Sequence, residues 1–579
     1  AAAAPLAAGA VLPRQGAALG SPQLRPEAAA GGGADVPERR RAFLRRDLLE
    51  AEADDVADVP ARRRDFLPRD LLEARTGLPT ASASSWLTLL PLLGVAGASA
   101  AGLLCVSMGT RSASPPQAAR TCYLVINVCL ILSMSLVIVD SYSLCTAIGL
   151  SEASSGQVVG EYSLGFCFGA ASIWFLSLHV QHLWRRLSSQ VLVAGIALLG
   201  LGALTYAWVA SKASHLTSWQ GQGADVTEAQ LAQYGQILLL GRIVSGVGAG
   251  MAAQCYVSAM LHITPVEDRP EHSTRWILST MLSFGFGPSI AAAVELFMTP
   301  YETDFRFVGY VQLILVACAL CTVLVFYPSL EGVEDCAAGT VPEADEPCLC
   351  AAEASTVEPP ELGVLARKRR VVVGCIVMTM LRACITTSAE VVIVMLLEKK
   401  YGFTHSMIGI AIGAIFLTLV PLKMFHDRLG QDVSATSWIR FLSGVALVGS
   451  VALASRPRAL MTAGLGKPGD VAQFILASLV VLPSLSLGDA LSIGMMHQHI
   501  LPEGSLLDAN YTNLWYNLCV GMARFLGPWC GRAVLAVSYD AWVAQHVAVI
   551  VLFIGVFEAV VVPALVPAKP VTTAAPARG

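Results

Sequence analysis

Gly241-Arg242-Ile243-Val244-Ser245-Gly246-Val247-Gly248-Ala249-Gly250 places one arginine and four glycines inside an apolar run that extends over 236–263. Gly246 and Gly250, four residues apart, form a small face on which a second helix can approach closely. Arg242 stands beside that face. An arginine at the centre of a bilayer-length helix costs at least ~2.5 kcal/mol on insertion scales, so it needs a partner or a watery cavity. The stretch therefore reads as a tightly packed membrane helix that holds a charge for a reason.

Moving outward, the pattern repeats. A hydrocarbon core of about 30 Å needs roughly 20 apolar residues per helix, and backbone polar groups in lipid must be satisfied within the segment. Spans of that length are expected at 120–144, 157–181, 190–211, 236–263, 275–298 and 307–328, then at 370–398, 405–426, 437–455, 472–496, 513–536 and 543–567. The layout is six spans, a hydrophilic loop over 329–369, and six more, with a further apolar segment at 86–107 and a tail at 568–579. That extra segment could be a thirteenth helix, an interfacial helix or a removed signal. The expected fold is an all-α integral membrane bundle of 6+6 helices. Composition agrees: the 579 residues are 55% apolar and 14% charged, against about 45–50% and about 25% in soluble domains. Net charge is −4, so no basic surplus points to a nucleic-acid partner; the expected partners are the lipid bilayer and a small solute or ion.

Residues 1–84 have a different composition, rich in Ala, Gly, Pro, Arg and Glu, and are expected to be disordered. Within them Asp35–Ala51 returns 23 residues later as Asp58–Ala74. The repeat could serve as a docking helix or a targeting signal, or it could be a duplicated stretch of solvated tail. If 120–144 begins in the cytosol, twelve Lys and Arg fall in cytosolic loops and seven in outer ones. That bias puts the central loop and the C-terminus in the cytosol. Most of the fifteen cysteines lie in apolar runs, where a thiol acts as a small hydrophobe. Cys336, Cys348 and Cys350 lie in the hydrophilic loop without the paired spacing of a metal site.

After 236–263 comes a loop with Glu267, Asp268 and Arg269, and then a helix containing Gly285-Phe286-Gly287-Pro288, where proline frees a backbone carbonyl. Asp427-Arg428-Leu429-Gly430 follows the eighth span. Together with Arg242-x-x-x-Gly246-x-Gly248-x-Gly250, these motifs resemble the major facilitator superfamily over roughly 120–567. The corresponding first-half loop, His182-Leu183-Trp184-Arg185-Arg186, lacks the acid and the glycine. Glu161-Tyr162-Ser163-Leu164-Gly165, Glu390, and Ala523-Arg524-Phe525-Leu526-Gly527-Pro528 are similar to the lysosomal and vacuolar branch of that superfamily, which includes the ceroid-lipofuscinosis membrane protein and SPX-linked vacuolar transporters. Residues 1–84 are not expected to supply an SPX domain. The resemblance implies two parallel pseudo-repeats, alternating access, and a vacuolar or lysosomal membrane, with plastid and plasma membranes as alternatives.

Within the spans charges are few. Glu390, Arg382, Asp489, Arg524 and Asp140 are the candidates for binding substrate or a coupling ion. Glu390, flanked by Ala389 and by Val391-Val392-Ile393-Val394, is the best candidate for a proton carrier. Asp489 and Arg524 could instead form a structural pair between the tenth and eleventh helices. Arg242, Gly246, Gly250, Arg269, Gly287, Pro288, Asp427, Arg428, Gly430, Gly527 and Pro528 are the candidates for packing and gating. No phosphate-binding Gly-Lys-Ser/Thr loop, zinc His-Glu-x-x-His or nucleophile elbow is present. Neither an enzyme nor a cofactor or metal is expected. His497 and His499 read as an isolated loop pair. The leading reading is a secondary transporter coupled to a proton or ion gradient. The rivals are an anion channel on the same fold and a non-transporting scaffold whose tail recruits a partner.

Overall fold

The computed structural model describes residues 84–110, 113–180, 183–219, 228–298, 305–333, 362–429, 433–454, 466–502 and 505–566. The basic tail with its repeat, most of the central loop with its three cysteines, and Gly430 lie outside the described residues. Among these residues, a leading helix over Ser84–Thr110 precedes twelve long ones. The first six are α1 (Pro115–Ala147), α2 (Glu152–His179), α3 (Ser188–Trp219), α4 (Glu228–Ile263), α5 (Arg269–Met298) and α6 (Arg306–Cys321). The second six are α7 (Leu362–Lys399), α8 (His405–Leu417, resuming over Leu419–Leu429), α9 (Ala435–Ala454), α10 (Gly466–Gln498), α11 (Ala509–Val537) and α12 (Tyr539–Val556). Eleven described helices are long and apolar enough to cross a membrane. α11 is 29 residues long, about 43 Å at 1.5 Å per residue, but it carries Arg524, Arg532 and three asparagines. Its polar face is turned inward against α2 and α7.

Local chemistry sets the ends of these helices, and it does so alike in the two halves. After α1, Gly149 takes φ 73°, and after α7, Gly402 takes φ 70°, a left-handed conformation that side chains with a Cβ rarely adopt. Two residues later Ser151 accepts from the Ser154 N–H, opening α2, and Thr404 accepts from the Met407 N–H, opening α8. Gly149-Leu150-Ser151 and Gly402-Phe403-Thr404 are thus one hairpin turn used twice. Asp508 caps α11 by accepting from the N–H groups of Asn510 and Tyr511, each at 3.0 Å.

The helices approach closely where the glycines allow it. A Cβ on Gly246 would run into the carbonyl of Tyr162, and one on Gly250 into that of Phe166, so α4 lies directly against α2. Gly287 of α5 meets Ser135 of α1, and Gly527 of α11 meets Thr387 of α7. The Gly-Pro pairs therefore face equivalent partners in the two halves. Pro288 and Pro528 sit inside α5 and α11 without ending them. Next to Pro288, Ser289 Oγ donates to the Gly285 carbonyl at 3.1 Å and reaches the Gly409 carbonyl of α8 at 3.5 Å. The halves pack through α2 on α11 and through α5 on α8 and α10.

The helices overrun the spans of the hydropathy reading, and at α7 the difference moves charges. α7 begins at Leu362 rather than 370, so Arg367, Lys368, Arg369 and Arg370 occupy its first turns instead of the loop. A solvated basic turn prolongs a helix without adding apolar character, so hydropathy misses it. The extra apolar segment is a helix packed on α1, α5 and α6.

Candidate functional site

Three helices of the second half bring four of the candidate charges together. Arg382 and Glu390 are eight residues apart on α7, Asp489 is on α10, and Arg524 is on α11. Arg382 forms an ion pair with Asp489, and both side chains are fully buried. The partner of Asp489 is thus Arg382, not the Arg524 that the order of the helices suggested. Arg524 and Arg382 are the charges that act on Glu390, which is itself 4% exposed. Arg524 is also within electrostatic reach of Tyr516 and Asp489, and its guanidinium carbon lies 4.8 Å from the ring centroid of Phe284. A buried pair of this kind is held by mutual attraction against a large desolvation cost. Arg382 Nε and Nη1, Arg524 Nε and Glu390 Oε2 have no hydrogen-bond partner among the described residues.

Across from this cluster the first half presents neutral groups. Asn127 of α1 donates to Thr280 Oγ1 at 2.9 Å and to Ser279 Oγ at 3.0 Å on α5. Its Oδ1 accepts from the Tyr256 hydroxyl at 2.6 Å, and that hydroxyl accepts from Trp276 Nε1 at 3.1 Å. Between the two sets lies a small central cavity of about 50 Å³, lined by Asn127, Tyr256, Trp276, Tyr516, Arg382 and Arg524 among others. Sequence reasoning did not single out Asn127, Tyr256 or Trp276. The available signal was an amide inside an otherwise apolar run, which lipid tolerates only with partners.

A larger vestibule of about 550 Å³ opens at the end of the bundle where α2 and α4 finish and α5, α7 and α11 begin. Lys368, Arg269, His262 and His497 line it together with Asp508. Gln254 lines the vestibule, Asn517 lines the central cavity, and Asn517 Nδ2 donates to Gln254 Oε1 at 2.7 Å. That hydrogen bond joins α4 to α11 between the two spaces. His497 is buried in the last turn of α10, with Nδ1 at 2.6 Å from Ser273 Oγ of α5, so it is not a loop residue. At the opposite end of the bundle, Ser143 of α1 lies 2.7 Å from His405 Nε2 of α8 and donates to Glu398 Oε1 of α7 at 3.1 Å. The two halves are therefore joined at that end.

The remaining candidates fall elsewhere. Arg242 is buried within the first half, donating from Nε to the Val158 carbonyl at 3.1 Å and lying 4.9 Å from the ring centroid of Tyr162. Asp140 shares Tyr206 with Arg242 and belongs to this second cluster, not to the one around Glu390. Arg269 ties down the end of α4 through the carbonyls of Thr264 and Leu261, at 3.3 and 3.1 Å. Asp427 is exposed and pairs with Lys423 and His426, beside the exposed Arg428. In the first-half loop the Trp184 ring stacks on His262 with centroids 4.9 Å apart.

No protein of curated function matches the sequence. Among solved structures, the partially occluded, inward-open xylose transporter XylE from E. coli superposes with a TM-score of 0.52 at 14% identity, over 76% of this chain and 98% of that one. An inward-facing bacterial homologue of the iron transporter ferroportin gives 0.50 at 14% identity, over 77% and 98%. These likenesses share the fold. The family model described as Major Facilitator Superfamily matches residues 123–496, most of the twelve-helix bundle, and the chain belongs to that superfamily.

Proposed function

We propose that the protein is a secondary active transporter, carrying a small solute or ion by alternating access and coupled to a proton or ion gradient. The observation that carries this reading is the arrangement around the central cavity. A vestibule lies on one side of it, a junction of the two halves through Ser143, Glu398 and His405 on the other, and a buried, incompletely paired charge cluster beside it. Alternating access requires the closed end to open and the open end to close around a fixed site near the midplane. The Gln254–Asn517 hydrogen bond and the Ser143 contacts are the polar links that such a change would remake. Glu390 is the proton carrier in this reading, because a buried carboxyl can be neutral on one side of the cycle and ionised on the other. The basic first turns of α7 orient the vestibule to the cytosol. A vacuolar or lysosomal membrane rests on the motif resemblance alone.

The test is uptake by proteoliposomes under an imposed inward pH gradient, across a panel of anions, sugars and organic cations. Saturable accumulation that a protonophore abolishes is the expected result. No flux of any solute through correctly inserted protein, or a non-saturating current, would contradict the reading.

A further inference from the structure

The charges around the central cavity can be counted. Arg382 and Arg524 bring two positive charges, and Asp489 and Glu390 bring two negative ones. With Glu390 ionised the set is neutral. With one proton on Glu390 it is left with a single net positive charge in a buried site, an unfavourable state unless an anion joins it. The wall of the cavity has the same sign. Arg382 and Arg524 line it and carry unpartnered donors, whereas the unpartnered acceptors of the cluster, on Glu390 and Asp489, belong to side chains that do not line it. Arg382 is 1% exposed and held in place by Asp489, so its free N–H groups are fixed in direction before any ligand arrives. The opposite wall cannot compensate a cation, because Asn127, Tyr256, Trp276 and Thr280 are neutral and already bonded to one another. The cavity's volume of about 50 Å³ is room for a small ion, since about 10–15 Å³ on this measure already holds a water.

Resting on the transport reading above, we infer that the solute is a small singly charged anion, bound between Arg382 and Arg524, and that it moves together with one proton held by Glu390. The charges balance in both directions: the loaded site (two guanidiniums, one carboxylate, one carboxylic acid, one anion) is neutral, and so is the empty site with Glu390 ionised. Each crossing is therefore electroneutral. Other groups surround the cluster without changing this count. Tyr516 of α11, Tyr162 of α2 and Tyr256 of α4 lie within electrostatic reach of Arg524, and Tyr162 is also in reach of Arg242, which belongs to the separate cluster with Asp140. Thr379 lies beside Asp489. His546 Nδ1 of α12 lies 3.0 Å from the Trp542 carbonyl.

The test uses full-length protein in proteoliposomes with radiolabelled chloride, nitrate and phosphate, with xylose and tetraethylammonium as neutral and cationic controls, and with potassium and valinomycin to set the membrane potential. An inward proton gradient should accumulate one of the anions, and the initial rate should not change when the potential is stepped at fixed pH gradient. Arg524→Gln should reduce anion flux about ten- to hundredfold, the value of one lost charge-assisted hydrogen bond, while Arg524→Lys, keeping the charge, should recover part of it. Anion flux driven by potential without a pH gradient would overturn the coupling. Flux of xylose or tetraethylammonium with none of any anion would overturn the anion assignment and leave the transport reading standing. Absence of all flux would instead remove the transport reading on which it rests.

Discussion

The two halves of the bundle share one hairpin turn, one Gly-Pro crossing and one helix order, yet they treat buried polarity in opposite ways. Around Asn127 the first half closes a neutral network in which each donor meets an acceptor. Around Arg382 the second half gathers four charges and leaves several polar atoms unpaired. A satisfied network rigidifies its surroundings, whereas a partly satisfied one favours whatever ligand completes it. On the transport reading proposed above, the first half is a firm wall and the second half the reactive one. The loops follow the same division: the second half has the exposed acid Asp427 paired with Lys423, and the first half has Trp184 stacked on His262 in its place.

The largest effect should come from breaking the second-half pair. Asp489→Asn leaves Arg382 buried and uncompensated, which costs ~3–5 kcal/mol and should show as a sharply lowered midpoint of thermal unfolding in detergent. Combining it with Arg382→Gln should recover most of that loss; a double variant as unstable as the single one would mean that the pair is not the unit. The next effect belongs to the first half. Gly250→Val drives a side chain into the Phe166 carbonyl and should cost ~1–3 kcal/mol through overpacking. Gly444→Ala, with nothing near the added methyl, should be tolerated. Tyr256→Phe removes the hydroxyl shared by Asn127 and Trp276. It should lower stability by ~1 kcal/mol without altering the pH dependence of transport, and an altered pH profile would move the coupling chemistry into the first half. Smallest of all, Glu558→Gln breaks a half-exposed pair with Arg440 at 2.6 and 2.8 Å and should leave the unfolding midpoint unchanged.

Much of this architecture is legible in the sequence alone. Twelve apolar runs in a six-loop-six order, together with Gly246, Gly250 and the two Gly-Pro pairs, follow from bilayer thickness and close helix contact, which act on local sequence. The existence of a second-half charge cluster is legible too, since each buried charge stands out against an apolar run. Its pairing is not. Arg382 and Asp489 are separated by more than a hundred residues, and which of two arginines meets Asp489 depends on how α7 and α11 rotate about their axes. The neutral wall escapes notice for another reason. Tyr256 and Trp276 look apolar in a hydropathy reading, and only their hydrogen bonds to Asn127 reveal a network.

The central claim is that Glu390 carries the proton that drives the second half of the bundle. Uphill uptake under a pH gradient, compared with substrate counterflow at equal pH in the same proteoliposomes, tests it most directly when parent and Glu390→Gln are measured side by side. Glutamine stands in for the protonated acid, so the variant should retain counterflow and lose accumulation. Accumulation equal to the parent's, from a variant that inserts and folds normally, would contradict the claim.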